Sequence, residues 1–185
     1  MASLPPADPT CPRVKNVLLL DSEGRRIAVK YFCKDWPTIN AQSKYEKSVF
    51  TKTSRSNARG EAEITMFDNV IVVYKFVSDL NFYVTGAADE NELILNSILT
   101  AFFESVQLLL RNNVEKKTVL ENLDLVLLAL DEIVADGGVP LETEPQVVAA
   151  RASMRGAGED IPLAEQTFSQ ALATAKEQLA KSLRA

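Results

Sequence analysis

ENELILNSILTAFFESVQLLLR, residues 90–111, is the stretch whose reading decides the fold. Within it Asn96, Thr100, Glu104, Gln107 and Arg111 recur at spacings of four, four, three and four. That draws one narrow polar stripe along an α-helix. Nearly everything else is apolar, including Leu95, Ile98, Leu99, Phe102, Phe103, Val106 and Leu110. A surface helix has the reverse proportions, one apolar stripe and a broad polar face. Asp89 stands where an N-cap belongs, and Glu92 follows at the capping-box spacing. At 1.5 Å per residue the helix runs roughly 30 Å, the width of a small domain. Burying one Leu, Ile or Phe contributes roughly 1.5–3 kcal/mol. Leaving about five in water would forgo on the order of 10 kcal/mol, against about 5–15 for a whole domain. The helix is therefore either central in its own domain or half covered by another chain.

Working outward, 185 residues fit one domain with appendages. A net charge of −5 argues against a nucleic-acid partner, which requires a basic footprint. There is no histidine, so the usual general base and the usual zinc ligand are missing. Cys11 and Cys33 fit no metal or redox spacing and are expected as reduced thiols. The proline-rich start, MASLPPADPTCPR, has no apolar core, so neither a signal peptide nor a membrane span is expected. No catalytic residue, metal ligand or cofactor is expected.

Before the central helix, Val14–Leu20 reads as a strand and Asp21–Gly24 as a turn. Ile27, Val29 and Tyr31 alternate on a second strand that closes a hairpin. Trp36-Pro37 opens a helix to about Phe50, with Ile39, Val49 and Phe50 on its buried side. Thr51–Gly60 is a polar loop. Strands follow at 61–67, 70–77 and 80–86, joined by the two-residue turns Asp68-Asn69 and Ser78-Asp79. Val70–Tyr74 is apolar enough to be covered on both faces.

After the central helix, Thr118 and Glu121 repeat the capping-box spacing ahead of an apolar helix, Val119–Ala135, which Asp136-Gly137-Gly138 ends. Pro145 starts a short helix to about Met154. Residues 1–12 are expected as a disordered tail, 13–154 as the domain, 155–161 as a linker, and 162–185 as a separate amphipathic helix carrying Phe168, Ala171, Leu172 and Leu179 on one side. The element order predicts an α+β fold: a five-stranded, largely antiparallel sheet with the first helix on one face and the later helices on the other.

That order resembles the longin fold, and the sequence resembles one family more closely. VLLLDSEGRRIAVKYF (17–32), NVIVVYKFVSDLNFYVTGAADENELIL (69–95), RNNVEKKTVLENLDLVLLALDEIVADGGVPLE (111–142) and GEDIPLAEQTFSQAL (158–172) are similar to the coatomer zeta family. NVEKK (113–117), LDEIVADGG (130–138) and LETEPQ (141–146) are the most specific pieces, and residues 1–12 fall outside the resemblance. The resemblance implies a non-enzymatic small subunit of the COPI coat. Such a subunit clamps onto the trunk of the large gamma subunit, in a tetramer with beta and delta. Arf-family GTPase recruits the coat to Golgi membranes, where it forms retrograde and intra-Golgi vesicles. A permanent partner would cover part of the central helix, which makes Leu95, Leu99, Phe103, Leu110 and Leu127 the candidate partner contacts. The alternatives are a sigma-type small subunit of a clathrin adaptor and a free-standing longin regulator of a small GTPase.

Two charge clusters stay open to more than one reading. Residues 118–150 hold Glu121, Asp124, Asp131, Glu132, Asp136, Glu142 and Glu144 with no Lys or Arg. This is a solvated acidic face or a docking surface for a basic patch. Asp131 and Glu132 are not a paired acid and base, because adjacent helical residues point about 100° apart. Lys44, Lys47, Lys52, Arg55 and Arg59 stand against the single acid Glu46. They are either a solvated face or one drawn to anionic lipid or another coat subunit.

Overall fold

The computed structural model describes residues 11–56, 58 and 60–158, with side chains through Met154. The expected C-terminal helix, the end of the expected linker, most of the expected N-terminal tail and Arg59 lie outside the described residues.

Strands β1 (Val14–Asp21) and β2 (Arg26–Tyr31) form the first hairpin, and α1 (Ile39–Thr53) follows. A meander of β3 (Glu63–Phe67), β4 (Val70–Val77) and β5 (Leu80–Ala87) comes next, then α2 (Glu92–Leu109), α3 (Lys116–Glu121), α4 (Leu123–Ile133) and α5 (Pro145–Gly158). The five strands form one sheet in the order β2-β1-β5-β4-β3, antiparallel throughout. Asp68 and Asn69 both take positive φ, as the tight β3–β4 hairpin requires, and Ser78 does so between β4 and β5.

Continuous apolar runs suit the central strands because both faces are covered. In β1, Val17 and Leu19 point into the core beneath α2, whereas Leu18 and Leu20 point into the core beneath α1. In β4, Val73 faces α2 while Val72 and Tyr74 face the α1 side. The α1 core is aromatic: Trp36 packs on Tyr31 at 5.6 Å and on Tyr45 at 4.2 Å between ring centroids. Tyr45 bonds Thr85 through its hydroxyl at 2.9 Å, and burial pushes its phenol up to about 12.

Helix boundaries differ from the sequence reading for local reasons. Asn91, not Asp89, caps α2: its Oδ1 accepts from Leu93 N at 2.9 Å, and the turn Ala87–Glu90 delays the helix start. Arg111 lies beyond the end of α2 in the left-handed region, so it leaves the polar stripe. Thr38 caps α1, which places Pro37 outside the helix, and α1 runs on through Thr53 into the stretch expected as loop. Ile39 is 73% exposed rather than buried, because Trp36 fills the adjoining core.

The single helix expected over 119–135 is two. Asn122 breaks it by donating its side-chain amide to Thr118 O at 2.8 Å, in competition with the helical ladder. The Thr118–Glu121 capping box does not form. Instead α3 starts earlier, and its Lys116 N–H donates to Asp79 Oδ1 at 2.9 Å from the β4–β5 turn. α4 ends at Ile133, because Val134 bridges Pro140. Gly138 then accepts from Val14 N at 2.8 Å, which pins the start of β1. Its φ of +80° and the nearness of Val14 O leave no room for a side chain. α5 continues through Gly158, so the expected linker begins as helix.

Candidate partner-binding surface

α2 is an interior helix. It packs on β4 and β5 on one side and on α4 and α5 on the other. Leu95, Ile98, Leu99, Phe102 and Val106 are buried, and Phe82 meets Phe102 and Phe103 edge-on at 5.4 and 5.6 Å. Most of the surplus apolar surface of residues 90–111 is thus covered by the chain itself. Leu95, Leu99 and Leu110 are buried in that core, so they offer no surface to a second chain. Phe103 is half-buried, with Lys75 Nζ 4.4 Å over its ring, and Leu127 on α4 is 42% exposed. Of the five candidates, these two keep area toward solvent.

The larger apolar remainder lies at the sheet edge. Among the described residues, β3 pairs only with β4. Ile64 and Met66 stand opposite Val73 and Ile71, on the face that carries α2. α2 covers β4 and β5, so Ile64 stays 51% and Met66 58% exposed. Together with Ile71 they floor a depression of about 380 Å³ rimmed by Asp89, Glu90 and Glu92. One residue beyond that rim, Leu93 is 71% exposed on the first turn of α2. An open edge strand with apolar side chains is a surface that proteins normally cover. The alternation Ile64-Thr65-Met66 marked one face in the sequence, but nothing there showed that β3 ends the sheet.

A second groove, about 450 Å³, runs between the end of α2 and α5, lined by Leu108, Leu109, Arg111, Gln146, Ala149, Ala150 and Ser153. The acidic residues of 118–150 are partly neutralised from outside that stretch. Lys30 pairs with Asp131, and Arg151 lies 3.7 Å from both Glu132 and Glu142.

Two buried carboxylates tie the elements together. Asp21 Oδ1 accepts from the backbone N–H groups of Glu23 and Arg25 at 2.9 Å each, and Oδ2 accepts from Arg25 Nε and Lys116 Nζ at 2.8 Å each. Burial raises the Asp21 carboxyl, but the Lys116 and Arg25 bonds outweigh it and hold the group well below the usual carboxylate range. Glu46, near the start of the basic stretch, turns inward and accepts from Arg26 Nε at 2.6 Å and Tyr31 OH at 2.8 Å.

The profile of the clathrin adaptor complex small chain family matches residues 13–159. The chain is 60% identical to coatomer subunit zeta-1 of Oryza sativa subsp. japonica, over 94% of this chain and 98% of the relative. The chain belongs to the coatomer zeta subunits of the adaptor small chain family. Coatomer subunit zeta-2 of Arabidopsis thaliana is 60% identical over 94% of this chain and 97% of its own length. Zeta-1 of Homo sapiens is 46% identical over 95% and 96%. In structure, the chain is similar to one chain of a homology model of the full-length AP-3 complex in a stretched open conformation. The TM-score is 0.63 at 19% identity, over 85% of this chain and 98% of that one. That likeness supports the small-subunit fold, and the zeta identities place the sequence within it.

Proposed function

We propose that this chain is the zeta-type small subunit of a COPI vesicle coat, without catalysis of its own, held by the large gamma subunit in a tetramer with beta and delta. Zeta identity across nearly the whole chain supports coat membership and a place in vesicle transport. The observation that carries the partner reading is the uncovered face of β3. Ile64, Met66 and Leu93 are exposed at the sheet edge, beside the acidic rim Asp89-Glu90-Glu92. A gamma surface bearing apolar anchors flanked by Lys or Arg would match it in both polarity and charge. Phe103 and Leu127 are secondary contacts. Recruitment through an Arf-family GTPase to Golgi membranes follows from the same assignment and acts through the complex.

The test is affinity capture of the tagged chain from cytosol, with mass spectrometry of its companions. A stoichiometric coatomer set led by gamma supports the proposal. Large chains of a clathrin adaptor would move the chain to the sister coat, and a monomer with no large partner would overturn the coat reading. Ile64→Glu with Met66→Glu should keep the fold, because both side chains are half or more exposed, and should lose gamma.

A further inference from the structure

The geometry points to a second docking surface: the outer face of α1 is an electrostatic contact for an anionic lipid bilayer. It goes beyond the coat assignment and does not depend on the β3 edge. Lys44, Lys47, Ser48, Thr51 and Lys52 fall at i, i+3, i+4, i+7 and i+8, which is one face of the helix. All five are exposed, and Arg55 continues the row just past the helix end. Lys47, Ser48, Thr51, Lys52 and Arg55 line one open depression of about 590 Å³. The one carboxylate in this stretch of sequence, Glu46, is buried against Arg26 and Tyr31 rather than exposed in the stripe. Among the described residues, Lys44, Lys47 and Arg55 make no ion pair. Lys52 bonds Met66 O and lies 5.0 Å over the Phe67 ring, so its charge stays at the rim of the patch.

Three considerations select a bilayer over a protein as the occupant. A stable protein interface needs apolar or aromatic anchors at its centre. This stripe has none, since Val49 is buried and Phe50 half-buried behind it. An anionic membrane surface needs only clustered cations, and the hydroxyl of Ser48 adds a donor suited to a phosphate oxygen, whereas that of Thr51 is bonded to Lys47 O at 2.7 Å. The charge is also one-sided. α1 lies on one face of the sheet, while the acids of 118–150 belong to the α3–α5 layer on the other. In a negative surface potential this polarity turns the α1 face toward the membrane.

The experiment is flotation of the full chain with phosphatidylcholine vesicles, with and without phosphatidylserine, over a salt series. Lys44→Glu, Lys47→Glu and Arg55→Glu are combined in one variant. Lys34→Glu, Arg111→Glu and Lys117→Glu form a control of equal net charge, all three at exposed positions. The expected result is binding to phosphatidylserine vesicles only, fading as salt shortens the Debye length below about 10 Å. Withdrawing each cation should lower partition about fivefold, so the α1 variant, which also adds three carboxylates, should lose at least on the order of 100-fold and the control far less. Unchanged thermal unfolding of both variants keeps the comparison valid. Equal losses in the two variants would overturn the proposal, as would no preference for phosphatidylserine. An α1 variant that floats normally but fails to capture a coat subunit would also overturn it, and would make the stripe a protein contact.

Discussion

Asp21→Asn exposes how strongly one buried carboxylate holds the β1–β2 turn to α3. The native group takes four hydrogen bonds, two from backbone N–H groups and two from Arg25 and Lys116. The asparagine keeps one oxygen for the backbone donors, but its NH2 faces two cationic donors and pairs with neither. A hydrogen bond to a charged group contributes about 1.5–3 kcal/mol. The Arg25 side chain is 60% exposed and that of Lys116 31%, so water replaces part of each loss. The net cost is on the order of 3 kcal/mol, which for this chain length is a Tm drop of roughly 6–12 °C. The folded carboxyl lies below its unfolded value of about 3.9, so its stabilisation is present above that pH. It fades as pH falls toward the folded value, whereas the asparagine does not titrate. The gap between native and variant should therefore be constant from pH 7 to about 5 and shrink below about 4. Urea unfolding followed by fluorescence of the single tryptophan, Trp36, reads both quantities. A variant within about 0.5 kcal/mol of native at pH 7 would refute the reasoning. So would a gap that widens in acid.

Other substitutions separate core from surface. Leu99→Asp places a carboxylate in the sealed α2 core and should abolish soluble folded protein, whereas Leu93→Asp on the exposed first turn should leave the Tm within a degree or two; expression yield and thermal unfolding check both. Phe103→Asp falls between, at about 2 kcal/mol, because the ring is half-buried and loses its edge contact with Phe82. Gly138→Ala should lower the Tm by several degrees, since a Cβ there would collide with Val14 O at a positive φ and loosen the start of β1.

The strands were legible because period two and tight turns are local signals. Asp68-Asn69 and Ser78-Asp79 sit where the hairpins turn, and Val70–Tyr74 is buried on both faces. The centrality of residues 90–111 was legible too, from the amount of apolar surface. What stayed hidden depended on contacts between distant residues. Asp79 capping α3 joins positions 37 apart, so the Thr118 capping box looked sufficient on its own. Glu46 read as the acid diluting a basic stretch until Arg26 and Tyr31 drew it inward. Leu95, Leu99 and Leu110 read like Phe103 and Leu127 because a helical stripe records burial, not whether a sheet, α4 or a second chain provides it. The exposure of Ile64 and Met66 followed only once the strand order placed β3 at the edge.

Hydrogen–deuterium exchange of the chain, alone and within the captured coat complex, tests the central claim most directly. α2 should already be protected in the isolated chain, because its cover is internal. Protection gained in the complex should concentrate in residues 63–67 and 88–93. Rapid exchange through the middle of α2 in the free chain, rescued only by the complex, would contradict the account. A β3 edge that exchanges equally fast in both states would contradict it as well.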